Sequence, residues 1–352
     1  MSSTFDPSAG APAIVPSVGI ILAGSYPEDD PGAGLDDTLA LIADAEELGF
    51  DVAGVRQRHL ERGASSALTL LAAATQRTRR IRLESDVVPL GYENPFRLAE
   101  DFATIDALSG GRVNVGVSTS APHGALLRGL GRPDAAADAD PYALIERFLE
   151  ALEGRSLSDE PIDTPYGPQT PRIQPHVPGL RSRVWLGGGS LRSVRWAAQH
   201  GLKLLLGNLG DGDAADTFEE AQAVHIAEYR RLFVGDGPEV AVERVILPID
   251  SATAGQRAHY AEYVAGRTPR TRQPVVVGAR RVVFQRDLHG TAEQIAERLA
   301  SDPAFDGRTQ LRVALPYAFD LDEYRQILHD VRHAMLPLVG HRAPADEVAV
   351  AV

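Results

Sequence analysis

Short runs rich in apolar and β-branched residues alternate with segments whose apolar positions recur at helical spacing, and the alternation persists along most of the chain. The first run is SVGIILA, Ser17 to Ala23. A helix is predicted to follow it from Leu35 to Leu48, closed by Gly49 as glycine does just past a helix end. Further strands are predicted at Asp51–Val55, Ile81–Pro89, Arg112–Ser118, Val184–Gly187, Leu202–Leu206, Val240–Ile249 and Leu311–Pro316. Helices are predicted among them at Ser65–Thr78, Pro95–Leu108, Ser190–His200 and Asp216–Phe233, and a last one from Leu321 to Met335. Eight strand–helix units predict an α/β chain folded as a closed (β/α)8 TIM barrel rather than an open doubly wound sheet. A dinucleotide-binding sheet would carry GxGxxG after its first strand, and GSYPEDDPGAG there lacks it.

Two connections are long, one after strand four and one after strand seven. The first holds a helix predicted near Tyr142–Leu152 and then a proline-rich stretch. The second holds a helix near Gln256–Val264, a basic segment from Gly266 to Gly290 and a helix at Thr291–Leu299. That basic segment carries six arginines, and Pro269, Pro274 and Gly278 interrupt any helix in it. Its runs Val275–Val277 and Val282–Phe284 are short enough to need partners. Because it follows a strand, it emerges on the face where barrel active sites are built, as a lid would; the alternative is a solvated basic insertion that contacts a partner subunit. The domain reading is a disordered leader at 1–13, one barrel domain over 14–340 and a flexible tail at 341–352.

Charge and composition narrow the function. Lys and Arg total 35 against 48 Asp and Glu, for a net charge of −13, which argues against a nucleic-acid binder. Cysteine is absent, so disulfides, thiolate nucleophiles and cysteine-held metals are excluded. No apolar run approaches the ~18 residues of a membrane span, and the first residues do not read as a signal peptide. A cytoplasmic protein handling a small molecule is expected.

Residues just past the strands are the candidates for chemistry: Arg56, Arg58 and His59; Ser85 and Asp86; Ser118; Gly187 to Ser190; and Asn208. The GGGS turn at 187–190 lets backbone approach a ligand closely, and Ser190 can cap the helix that follows. Its alternatives are a phosphate site at a helix N-terminus or an ordinary capped turn. Arg192 and Arg195 lie in the first turns of that helix, where a bound anion would relieve their conflict with the helix dipole. His59 suits proton transfer near neutral pH, or is a rim histidine satisfied by a neighbour. Asp86 sits in the apolar run LESDVVPL and is either exposed at the rim or committed to a ligand. The histidines show no metal-ligand spacing, and there is no GxSxG elbow.

The strings AEELGFDVAGVRQRH (45–59), TRRIRLESDVVPLGYENPFRLAEDFATIDALSGGRVNVGVS (78–118), VWLGGGSLRSVRWAAQHGLKLLLGN (184–208) and HGTAEQIAERLA (289–300) resemble the bacterial luciferase-like flavin-dependent monooxygenases. The resemblance runs from about Val18 to Pro337 and implies a barrel, usually dimeric, that binds FMN. It places the phosphate at Gly188, Gly189, Ser190 and Ser193, and the isoalloxazine on Ser85, Asp86 and Val87, often at a non-proline cis peptide. It makes His59 the catalytic acid/base or positioning group. It aligns Ser118 with a reactive cysteine of luciferase, and Thr119 with an arginine that helps hold phosphate, a cation that Arg192 or Arg195 would replace. Arg56, Arg58, Asn208 and Arg280 are expected at the substrate or in the lid. The implied activity is a two-component monooxygenase: a separate reductase spends NADH or NADPH to deliver reduced FMN, and O2 then oxidises a small organic substrate. A deazaflavin-dependent oxidoreductase of the same fold and a non-catalytic flavin-binding subunit are the alternatives. Light emission is not expected, and a homodimer is.

Overall fold

The computed structural model describes residues 14–133, 139–277 and 280–341, so the leader and nearly all of the tail lie outside the described residues. Eight parallel strands form the frame: β1 (Val18–Leu22), β2 (Val52–Val55), β3 (Arg82–Ser85), β4 (Val113–Ser118), β5 (Val184–Gly188), β6 (Lys203–Leu206), β7 (Val240–Pro248) and β8 (Thr309–Ala314). Each pairs with its neighbours in chain order, and β8 returns to β1 in the register Val18 opposite Leu311, which closes the barrel. Around it run α1 (Pro31–Glu47), α2 (Ala67–Ala74), α3 (Pro95–Ser109), the short α4 (Gly124–Gly129), α5 (Pro141–Leu152), α6 (Leu191–Gln199), α7 (Phe218–Leu232), α8 (Ala254–Arg267), α9 (Ala292–Ser301) and α10 (Leu321–Asp330). The α/β barrel expected from the strand–helix alternation is the fold observed. None of the helices among the described residues is long and apolar enough to cross a membrane.

Several boundaries differ for local reasons. Helix α1 starts at Pro31 because the Asp30 carboxylate caps it, accepting from the Ala33 N–H at 3.0 Å, with proline in the first turn where its missing N–H costs nothing. Helix α2 ends at Ala74, not Thr78, because the Gln76 and Arg77 N–H groups tighten onto residues three back and the Thr78 hydroxyl takes the Ala74 carbonyl. Helix α10 stops at Asp330 and continues as a π-helical turn over Val331–Met335, with the Asp330 carboxylate tied to Ser251.

The third strand does not run unbroken to Pro89. It stops at Ser85, the Asp86–Val87 peptide is cis, and Val88–Pro89 resumes pairing with β4. At the break the Ser85 hydroxyl donates to the Gly116 carbonyl at 2.8 Å and accepts from the Gly116 N–H at 2.9 Å. Glycine is required there, since a Cβ at 116 would stand 1.8 Å from the Ser85 carbonyl oxygen.

Most of the apolar core lies between the barrel and its helices, as in the edge-on pair Phe102 and Phe148 that joins α3 to α5. The barrel interior is different in kind. A small apolar group of Trp185, Leu205, Ala241 and Val87 shares it with charged side chains. At its centre Arg312 donates to Glu84 at 2.8 and 3.2 Å, both side chains fully buried, and Asn114 donates to the same carboxylate at 2.9 Å.

Among the described residues the basic connection after β7 is folded. Val275–Val277 pairs antiparallel with Arg280–Phe284, which pairs in turn with Leu209–Asp211 just past β6. Val283 buries against Phe218 and Ala221 of α7, so neither short run has to stand alone. The connection after β4 carries a two-stranded hairpin, Ile162–Thr164 with Gly167–Gln169.

Candidate active site

A cavity of about 480 Å³ opens at the C-terminal ends of the strands. Its wall takes Arg56 from β2, Asp86 and Val87 from the break in β3, Ser118 from β4, Gly187–Gly189 from β5, Asn208 after β6, Glu243 from β7 and Arg280 from the added hairpin. A larger recess of about 1200 Å³ lies at the opposite end, among Glu46, Arg80, Arg82 and Glu239, away from the ends where barrel chemistry is built.

The GGGS turn is shaped by packing and by its cap. A Cβ on Gly188 would stand 2.8 Å from Leu204 Cδ1, so a larger residue there would have to push that leucine aside. Ser190 and Ser193 cap α6 reciprocally: Ser190 Oγ accepts from the Ser193 N–H, and Ser193 Oγ accepts from the N–H groups of Ser190 and Gly189. Arg280 completes the turn by donating from Nη2 to the Gly189 carbonyl. The Ser193 hydroxyl donates to the Ser190 carbonyl at 2.8 Å, so the Ser190 hydroxyl, a helix N-terminus and a guanidinium are what converge on one corner, a combination suited to an anion. The guanidinium that touches the turn is Arg280, and neither arginine of α6 does. Arg195 donates to Glu228 at 2.7 Å on the outer face, and Arg192 lies over the Tyr142 ring at 4.6 Å.

Deeper in the cavity, Arg56 is paired with Glu243. Burial opposes its charge, but the adjacent carboxylate more than compensates and raises its pKa. Glu243 escaped the sequence analysis, although a lone glutamate inside VAVERVIL was the available signal. Asp86 is 6% exposed, and neither carboxyl oxygen has a hydrogen-bond partner. Ser85, by contrast, is fully buried with its hydroxyl engaged on Gly116 and is not in the cavity wall. Ser118 lines the cavity and donates to Ser120 at 3.2 Å, and Asn208 holds the hairpin by accepting the Gln285 N–H on its carbonyl at 3.0 Å.

His59 and Arg58 stand at the rim outside that wall. His59 Nε2 faces the Gln57 amide nitrogen at 3.2 Å, and its ring meets Tyr92 edge-on at 4.9 Å. Gln57 Nε2 also donates to Glu93, which leaves the facing imidazole nitrogen as the acceptor. Arg58 donates to the Tyr317 hydroxyl at 3.1 Å. Among the described residues no cluster of His, Asp and Glu is arranged to hold a metal.

Residues 17–304 match the model of the luciferase-like monooxygenase family, and the chain belongs to that family. It is 27% identical over 224 residues to YwcH of Bacillus subtilis, covering 62% of this chain and 63% of that one. It is 32% identical over 184 residues to the N-acetyl-S-alkylcysteine monooxygenase of the same organism, covering 51% and 52%. The chain therefore spans less than two thirds of the length of these relatives. The monooxygenase RslO1 from Streptomyces bottropensis shares the fold with a TM-score of 0.67 at 19% identity, over 91% of this chain and 99% of that one. So do the oxygenating constituent of 3,6-diketocamphane monooxygenase from Pseudomonas putida, in complex with FMN (TM-score 0.63, 14% identity, 92% and 98% covered), and an F420-dependent secondary alcohol dehydrogenase (0.60, 14%, 92% and 99%).

Proposed function

We propose that this chain is the oxygenating component of an FMN-dependent two-component monooxygenase, an oxidoreductase that receives reduced FMN from a separate reductase and uses O2 to oxidise a small organic substrate. The observation that carries the reading is the corner where Gly189, Ser190, Ser193 and Arg280 meet, next to a wall stripped to glycine at 187–189. Such a site suits a flat, phosphate-bearing molecule, with the serines and Arg280 at the phosphate and Val87 and Leu205 offering the apolar surface a ring needs. When bound, the flavin supplies the reaction with oxygen.

The chain's own work is then to orient and to exclude water. Arg280 would hold the hairpin strand of 280–284 against the phosphate corner, so that hairpin and cofactor together shield the cavity from water. Arg56, Glu243 and Asn208 face the remaining space as polar contacts for a substrate.

Anaerobic titration with reduced FMN and, separately, reduced F420 tests the cofactor. FMN is expected to bind in the micromolar range or tighter, and Ser190→Ala to weaken it by about 1 kcal/mol. Binding of F420 with no binding of FMN would replace the reading by that of a deazaflavin-dependent oxidoreductase. Tight FMN binding without substrate-linked O2 uptake, in the presence of a reductase and across a substrate panel, would favour a non-catalytic flavin-binding subunit.

A further inference from the structure

The ionisable groups inside the upper barrel do not balance. Glu84 is matched bidentately by Arg312, and Glu243 is matched by Arg56. Asp86 is the third carboxyl among two guanidiniums, and neither guanidinium donates to it. Both its oxygens are buried without a partner, yet the side chain lines the 480 Å³ cavity. The position is built to receive it: a Cβ on Gly54 of β2 would stand 1.8 Å from Asp86 Oδ2, so β2 is cut back to glycine beneath the carboxyl. An ionised carboxylate in such a place would be desolvated with neither a hydrogen bond nor a cation of its own, an arrangement that strongly disfavours the charged form. A protonated one carries a single donor, and the side open to it is the cavity.

We propose that Asp86 stands in the cavity as a neutral carboxylic acid and donates a hydrogen bond from its carboxyl to an acceptor atom on the ring of the bound cofactor. The surrounding electrostatics agree. Burial foremost, and then the charge of Glu84, hold its pKa well above the usual carboxylate range. Arg312 and Arg56 pull the other way, and Glu243 adds to the rise. Asp86 would be a proton-holding group in direct contact with the cofactor, distinct from His59 at the rim. Only the identity of the ligand rests on the function proposed above; the protonation state does not.

Infrared difference spectroscopy of the ligand-free protein at about pH 7.5, wild type minus Asp86→Asn, should show the carbonyl stretch of one protonated acid. The band should shift to lower frequency when reduced FMN is added anaerobically. No band overturns the protonation argument. A band that stays still while titration shows FMN bound overturns the hydrogen bond. Failure of FMN to bind, with the band present, counts against the cofactor and not against the protonated acid. Stability gives a second readout that needs no ligand. A carboxyl whose folded pKa is raised loses stability as pH climbs from its unfolded pKa toward the folded one. The unfolding midpoint of Asp86→Asn relative to wild type should therefore rise from pH 4 to pH 8. A difference that is flat with pH contradicts the proposal.

Discussion

Arg280, on a hairpin after β7, donates to the backbone carbonyl of Gly189 in the turn after β5, 91 residues earlier in the chain. The contact brings a guanidinium to the glycine-lined turn at the start of α6 and fastens the hairpin across one side of the cavity. It also satisfies a carbonyl that a bare Gly-rich turn would leave to water. Both roles can be separated by experiment.

Arg280→Ala should weaken binding of reduced FMN roughly tenfold, the value of a partly exposed charge-assisted hydrogen bond. The loss should shrink at high salt, and Arg280→Lys should restore part of it by keeping the charge without the planar fork. Anaerobic titration at two ionic strengths is the measurement. Affinity within twofold of wild type in the alanine variant would show that the phosphate lies elsewhere.

His59 is held by Gln57 at the rim and does not enter the cavity wall. If it handles a proton of substrate or product, His59→Ala should cut coupled turnover by ~10² and leave FMN affinity within a few-fold. Steady-state rates and titration on the same preparation check the split. Equal losses in both would mark His59 as a cofactor contact, and unchanged turnover would make it a rim histidine only.

Arg244 is buried and matched by Asp302 at 2.7 and 3.0 Å, with Gln222 accepting a further bond at 2.6 Å. Asp302→Asn strands that guanidinium between β7 and the segment leading into β8, and should destabilise the protein by ~3 kcal/mol. Replacing both partners by Met and Leu should recover most of the loss. Urea unfolding of the two variants and the wild type decides the matter, and a negligible effect of Asp302→Asn would mean that water reaches Arg244.

Asp306 titrates at about 2. Burial would raise it, but hydrogen bonds from Arg230 and Arg308 and the Arg230 charge outweigh that effect. Since its folded pKa lies below the unfolded value, its contribution to stability is full above about pH 4 and is lost as pH falls toward 2. Asp306→Asn should flatten the acid limb of the stability curve over that window and lower the plateau above it. Thermal unfolding from pH 2 to pH 7 measures both. The effect should be modest, because the pair is partly exposed and screened.

Much of this architecture was legible from local pattern. The alternation of apolar runs with helical spacing determined eight strands in the right order and hence a barrel, because each βα unit has only one way to bury its apolar faces. Ser190 before a helix and Pro95 at the start of another mark their own boundaries, since capping depends on neighbours three or four residues away. The family resemblance of 78–118 and 184–208 pointed to the same corner that the cavity occupies.

Tertiary structure alone decided which of those residues meet. Ser85 reads like a site residue beside Asp86, yet the break in β3 turns its hydroxyl onto Gly116 and leaves Asp86 facing the cavity. Arg192 and Arg195 sit next to the GGGS turn in sequence, but Tyr142 and Glu228 engage them, and the turn receives Arg280 instead. Glu243 meets Arg56 across 187 residues, a pairing that exists only because the barrel closes. Propensity and capping act over a few residues, whereas which charges are matched inside a barrel depends on how eight strands register around a common axis.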